Sequence, residues 1–222
     1  GNQKWSSEVA WLTAYDSPNR VVVNSQQVFD LTTMQVVEEL TFGPASSGSM
    51  TRFNYPVWSS KGEIIFFGGQ GIASGNIQYL ADTQAEPKNL TSPPPNVWGD
   101  GWPALSPDGE WIAFLRFWDD PAQDGLWLMT IDGQEAHRII DLATRRVFWS
   151  PDGRQLAFEG PKPNADTFSF EIWVSEADGS NPRPLTSLPD DISAWEPKWS
   201  PDGQRLVFEV QSSLANRQLF VV

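Results

Sequence analysis

The chain has no cysteine, one histidine and three methionines in 222 residues. Without thiols, disulfides, thiolate metal centres and a cysteine nucleophile are excluded. A single histidine leaves little from which to build a zinc or copper site, so no cofactor and no metal are expected. His137 would serve a Ser-His-Asp arrangement only beside a nucleophile. It falls instead at the start of an outer strand, next to Arg138, and no catalytic residue is assigned. Long apolar runs are also missing: none approaches the ~18 residues of a membrane-spanning helix. Positive charge is in deficit, with 15 Lys and Arg against 28 Asp and Glu, a net of −13. That balance opposes nucleic acid, whose binders need Lys/Arg clusters to displace phosphate counterions, and anionic lipid surfaces. The first residue is Gly1 and no signal peptide is visible, so the chain reads as a processed or excised piece.

What the sequence does have is a repeat. Leu105-Ser-Pro-Asp-Gly109, Trp149-Ser-Pro-Asp-Gly153 and Trp199-Ser-Pro-Asp-Gly203 are nearly the same, and Trp58-Ser-Ser-Lys-Gly62 is a worn copy. The serines Ser59, Ser106, Ser150 and Ser200 lie 47, 44 and 50 residues apart, a period that signals a repeat architecture. In the fourth unit, 146–150 alternates and is rich in Val and aromatics, as a strand should be (strand A). Ser150-Pro-Asp-Gly153 is a tight turn: Pro presets φ, Asp tolerates the next position, and Gly takes the left-handed one. Strand B follows at 155–159, strand C at 170–176, a second turn at Asp178-Gly179-Ser180-Asn181, and strand D at 183–186.

The other units keep this order. Strand B carries Phe67, Phe114, Phe158 and Phe208, with Trp11 in the first unit. Strand C carries Phe29, Tyr79, Trp127, Trp173 and Phe220. Strand D carries Leu40-Thr41, Leu90-Thr91 and Leu185-Thr186, with Ile139-Ile140 between them. Four short strands per unit of this length describe an all-β propeller of four-stranded antiparallel blades. Five repeats are visible, with approximate blades 1–50, 51–100, 101–144, 145–194 and 195–222. The first is worn at 5–9, and the last stops before its strand D. An unfinished blade implies part of a six-bladed or larger propeller; a five-bladed ring is the alternative.

The segment Phe148-Trp-Ser-Pro-Asp-Gly-Arg-Gln-Leu-Ala-Phe158, followed by Glu171-Ile-Trp-Val-Ser-Glu-Ala-Asp-Gly-Ser-Asn-Pro-Arg-Pro-Leu-Thr186, resembles the TolB-type WD-like propeller repeat. The third and fifth units resemble it well, the second partly, and the first by spacing alone. The resemblance implies a propeller that commonly has six blades, a place outside the cytoplasm (periplasmic or otherwise extracytoplasmic), and a non-enzymatic role in binding a protein or peptide partner. The same repeat forms the propeller domains of some prolyl-oligopeptidase-like and tricorn-like hydrolases, whose catalytic residues lie in a separate domain.

Function is expected where the blades stop agreeing. In a four-stranded meander the A–B and C–D turns share one face, so the Ser-Pro-Asp-Gly turns sit together and the long B–C and D–A loops lie opposite. Trp5, Trp58, Trp149 and Trp199 recur on strand A and are assigned to packing between blades. Trp98, Trp102, Trp118 and Trp195 do not recur, and they fall in segments that read as loops or strand entries; a binding face would use them. Counting back from each turn serine, one inner-strand position holds Tyr55, Trp102, Arg146 and Glu196, which should surround the channel mouth as a mixed polar and apolar site. Asp119-Asp120 and Asp190-Asp191 are weak Ca²⁺ candidates, since adjacent carboxylates in a loop usually point apart. The expectation is thus a non-enzymatic scaffold that binds a protein or peptide through the long-loop face and the channel mouth. The alternatives are a hydrolase propeller domain and a carbohydrate-binding propeller using Trp98, Trp102 and Trp195.

Overall fold

The computed structural model describes residues 12–14, 20–23, 27–39, 53–59, 63–69, 75–81, 85, 87–163, 169–212 and 217–222. The segment 5–9, expected to hold the first worn turn, Trp11, Leu40-Thr41 and residues 60–62 lie outside them, as do the side chains of Tyr55 and Trp58. The first sheet corrects that expectation, because its inner pair joins Leu12–Ala14 to Arg20–Val23. The first A–B connection therefore falls between those strands, and Trp11 precedes the inner strand instead of lying on strand B. Five antiparallel sheets follow one another along the chain. The first is β1 (Leu12–Ala14), β2 (Arg20–Val23), β3 (Gln27–Asp30) and β4 (Gln35–Glu39); the second is β5 (Phe53–Trp58), β6 (Ile64–Gly69), β7 (Gly75–Leu80) and β8 (Lys88–Asn89). The third is β9 (Val97–Leu105), β10 (Trp111–Trp118), β11 (Gly125–Thr130) and β12 (His137–Ile140); the fourth is β13 (Arg145–Trp149), β14 (Gln155–Pro161), β15 (Phe170–Glu176) and β16 (Arg183–Pro184). The fifth has three strands among the described residues: β17 (Ile192–Trp199), β18 (Leu206–Ser212) and β19 (Gln218–Val221). Each sheet is a simple meander, which is the propeller blade expected from the repeat.

The Ser-Pro-Asp-Gly turn closes itself. Ser106, Ser150 and Ser200 each donate an Oγ–H to the aspartate two residues on, at 2.5, 2.7 and 2.5 Å. Each serine oxygen also accepts the N–H five residues on, at 2.9 Å in all three. The aspartates accept a further backbone N–H, from Glu110, Arg154 and Gln204. These hydrogen bonds, the serine's first, hold the carboxyls of Asp108, Asp152 and Asp202 below the usual range. Ile131 N–H donates to Glu110 O, and Ala177 N–H to Arg154 O, so each C–D turn is tied to its A–B turn on the same face.

In the worn copy the hairpin is one residue shorter. Glu63 N–H donates to Ser59 Oγ, and the Glu63 carboxylate stands in for the missing aspartate by accepting Ser59 Oγ–H at 2.9 Å. This shortening corrects two sequence alignments. Trp58 pairs with Ile64 as Leu105 pairs with Ile112, so the equivalent of Phe114 and Phe158 is the fully buried Phe66, not Phe67. Across the sheet, Gln78 rather than Tyr79 matches Trp127 and Trp173.

Cores form between consecutive blades. One cluster joins Ile65 and Ile77 to Ile112, Phe114 and Met129. A second joins Leu115, Leu126 and Leu128 to Val147, Leu156 and Phe158. A third joins Ala157, Ile172 and Val174 to Ala194, Leu206 and Phe208. The recurring strand-A tryptophans add directed bonds: Trp149 Nε1–H donates to Ala104 O at 3.0 Å and Trp199 Nε1–H to Phe148 O at 3.4 Å, linking β13 to β9 and β17 to β13. The recurring threonine of strand D is explained as well. Thr91 and Thr186 Oγ1 accept the N–H groups of Ile77 and Ile172, both at 3.0 Å, continuing the ladder with a side chain.

The C–D turn of one blade seats on strand D of the blade before. A Cβ added at Gly179 would stand 2.3 Å from Ile139 O, with φ at +83°. Gly109 has φ of +76° but open space around it. Gly109→Ala should therefore cost only the left-handed backbone, about 1–2 kcal/mol, and Gly179→Ala distinctly more. Urea unfolding midpoints compare the two; equal losses would mean that the seat does not hold neighbouring blades together.

Candidate functional site

In blades 2 to 5 the inner strand has one residue more than its partner. The register slips between Asn54 and Val57 in β5, between Gly101 and Ala104 in β9, between Arg145 and Val147 in β13, and between Trp195 and Lys198 in β17. These β-bulges contain Tyr55, Trp102, Arg146 and Glu196. A bulge leaves one residue out of the ladder and re-aims its side chain. Proline has no N–H to lose from a ladder, which suits Pro56, Pro103 and Pro197 to the position after it. Trp102, Arg146 and Glu196 have φ of +47°, +33° and +54°. A non-glycine residue in that region costs on the order of 1–3 kcal/mol and persists only where its surroundings impose it.

At blades 4 and 5 the bulges meet. Arg146 Nη1 pairs with Glu196 and lies 3.5 Å from Glu159 Oε1. Glu159 Oε1 accepts Glu196 N–H at 2.9 Å, across the blade boundary. Lys198 Nζ stands 3.9 Å from Glu196 Oε2 and 3.6 Å from the centre of the Phe148 ring, a cation–π distance. Arg146 and Glu196 keep 26% and 25% of their side-chain area open, whereas Glu159 keeps 1%. Burial dominates at Glu159 and raises its carboxyl to about 7, against the opposing pull of Glu196 N–H and Arg146. Lys198 retains 55% of its side-chain area, but its ammonium sits over the Phe148 ring and partial loss of water lowers its pKa.

Other candidate residues take different places. Trp102 is half-buried, with its ring edge-on to Phe117 at 5.3 Å. Tyr55 lies at the equivalent backbone position on β5. Trp195 is half-buried, its ring 4.8 Å from that of Phe170, and Arg145 stands 4.8 Å over the other ring of that pair, forming a rim beside the ionic cluster. Trp98 is 53% exposed, and Trp118 closes β10 with its N–H on Asp124 Oδ1. None of these four tryptophans is in a loop: Trp98 and Trp102 lie in β9, Trp118 in β10 and Trp195 in β17. The segment before Leu105 looked like a loop because it holds Gly99, Gly101 and Pro103, which the bulge accommodates. His137 is exposed at the start of β12. Asp120 caps the short 3-10 turn Pro121–Gln123, and Asp190 lies 3.7 Å from Lys162 Nζ. No group of three potential ligands to a metal occurs among the described residues.

Three charged residues of the inner edge were not singled out from sequence: Arg145, Glu159 and Lys198. Glu159 has no repeating signature, because its equivalents are Phe67, Leu115 and Glu209. A charge inside the strand pattern 155–159 was the available signal. Asp100 and Arg116 were also missed. They form a buried bidentate pair at 2.7 and 2.9 Å, with the guanidinium 4.2 Å over Trp127. That pair is bonded fork to fork, stacked on an aromatic face, and belongs to the blade's framework.

No protein-family model matches the chain, and no curated protein does. Solved structures do. A putative TolB from Agrobacterium tumefaciens superposes with a TM-score of 0.77 over 96% of this chain and 76% of its own, at 19% identity. TolB from Acinetobacter baumannii gives 0.66 over 96% of this chain and 49% of its own, at 16% identity. A puromycin hydrolase gives 0.63 over 90% of this chain and 35% of its own, at 18% identity. The fold is thus a TolB-like β-propeller, and this chain spans about half of the second TolB and about a third of the hydrolase.

Glu159 gives the cluster a measurable pH signature. Its folded carboxyl titrates above the unfolded value, so the folded state binds more protons between the two. Its contribution is full below the unfolded value of 4.5 and is lost as pH rises through about 7. Glu159→Gln should flatten the fall in stability between pH 5 and pH 8. The turn aspartates act in a separate acid window, since their stabilisation is lost only as pH falls below the usual carboxylate range. Thermal unfolding across this pH range checks the prediction; an unchanged slope in the variant would remove Glu159 as its source.

Proposed function

We propose that the chain is a non-enzymatic scaffold of TolB-like type, which binds a protein or peptide partner at the channel mouth and the adjoining long-loop face. The observation that carries this is the recurrent bulge. The register slip recurs in blades 2 to 5, yet the side chains it holds are Tyr55, Trp102, Arg146 and Glu196. A position whose conformation is imposed but whose chemistry differs is suited to a partner that meets the blades unequally. Trp195 beside Arg145, and Trp98 at the entry to β9, extend the surface with large partly open side chains, as interface anchors require. Trp118 joins them at the end of β10.

The TolB likeness supports a place outside the cytoplasm. Among the described residues no helix is long and apolar enough to cross a membrane. A second reading, a hydrolase's propeller domain, draws on the likeness to the puromycin hydrolase; in it the same channel mouth would filter access to a separate catalytic domain.

Selection of a random dodecapeptide display library on the immobilised chain tests the site. Peptides recovered on the native chain should bind Trp102→Ala and Arg146→Ala about tenfold or more weakly, the ~1.4 kcal/mol expected of an interface anchor. Circular dichroism should show both variants folded. Undiminished binding to both would place the partner surface elsewhere.

A further inference from the structure

The charged half of the channel mouth carries more than a general binding surface. Around Glu159 stand Arg145 and Arg146 from β13, and Glu196 and Lys198 from β17. On β15, Glu171 is turned away and engaged by Thr186 Oγ1, by Leu188 N–H at 2.7 Å and by Lys162 Nζ at 3.6 Å. Asp124, from the B–C loop of blade 3, faces Arg145 from outside the cluster. The mouth therefore holds three cations and two carboxylates, in a chain whose overall charge is −13. One of the two carboxylates is almost wholly buried, while Arg146 and Lys198 keep part of their side chains open.

We propose that the mouth between blades 4 and 5 receives a carboxylate of the partner, and that binding is linked to uptake of a proton by Glu159. The inference rests on the binding site proposed above and names the chemistry of its ligand. An incoming carboxylate approaches Arg146 and Lys198 from the open side and supplies from outside the negative charge that Glu159 supplies from within. Two carboxylates converging on one guanidinium repel each other, and the buried one is the less able to keep its charge. Burial already places the Glu159 carboxyl near neutrality, so a second anion raises it further and a proton is taken up. By linkage the partner then binds more tightly as pH falls through about 7. A cationic partner at Glu159 and Glu196 would do the reverse and release a proton.

Fluorescein-labelled hexaglutamate is a suitable probe, since its own side chains stay ionised above pH 6. Anisotropy titrations of the chain at pH 6 and pH 8, at constant ionic strength, should give about tenfold tighter binding at the lower pH. Glu159→Gln should bind at both values about as tightly as the native chain does at pH 6. Calorimetry of the native chain at pH 7, in two buffers of different ionisation enthalpy, should register net proton uptake without relying on any variant. No binding at either pH, equal binding at both, a persistent pH dependence in Glu159→Gln, or proton release would each overturn the proposal. Selected dodecapeptides that still require Arg146 yet show no pH dependence would sink this inference alone. Peptides indifferent to both Trp102→Ala and Arg146→Ala would sink the site itself.

Discussion

One extra residue in the inner strands of blades 2 to 5 sets which side chain each of them re-aims. Antiparallel pairing would otherwise alternate side chains strictly between the two faces of a blade. The bulge breaks that alternation once, just before the strand turns into its hairpin, and re-aims one side chain: Trp102 against the core between blades 3 and 4, Arg146 and Glu196 against each other. The left-handed backbone at Trp102, Arg146 and Glu196 is the cost. Packing on either side of the bulge sustains it: Ala113, Leu115 and Val147 are buried in one inter-blade core and Ala194 in the next. The Trp149 and Trp199 indoles then fix one inner strand against the next. Variation at the bulge can therefore change the chemistry of the mouth while the blades go on stacking.

Two ionic groupings differ in what they can do. Asp100 and Arg116 are matched fork to fork and capped by an aromatic face, so removing either partner would leave a buried charge uncompensated. Glu159 has one backbone N–H at 2.9 Å and a guanidinium only at 3.5 Å. That is too little to offset its burial, and its carboxyl rises to about 7. Weak satisfaction is what makes Glu159 responsive: a fully paired carboxylate would stay ionised through the physiological range. Glu196 and Lys198, from the next blade, complete the cluster, so its geometry depends on how blades 4 and 5 are seated.

The architecture was legible because its signals are local. Ser-Pro-Asp-Gly encodes a self-contained hydrogen-bonded turn, and counting back from its serine locates the bulge without knowledge of pairing. Counting forward failed in blade 2, where the hairpin lost a residue and the buried Phe66 took the register position of Phe114 and Phe158. Tryptophans 98, 102 and 195 were misplaced in loops because glycine and proline in β9, and the approach to β17, carry loop-like composition. Glu159 could not be found at all. Its role comes from a residue 37 positions away in sequence, and the only local mark is a charge inside the apolar strand pattern 155–159. The direct meeting of Arg146 with Glu196 likewise depends on the rotation from one blade to the next, which no single repeat contains.

The tryptophans provide the most direct test that the bulge residues form the partner surface. In a ¹H–¹⁵N spectrum of the indole groups, titration with a selected dodecapeptide should move the resonances of Trp102 and Trp195. Trp149, Trp173 and Trp199, whose indole N–H groups are committed to backbone carbonyls, should remain in place. Shifts concentrated on Trp149 and Trp199 with Trp102 unmoved would contradict the account and place recognition on the face of the repeated turns.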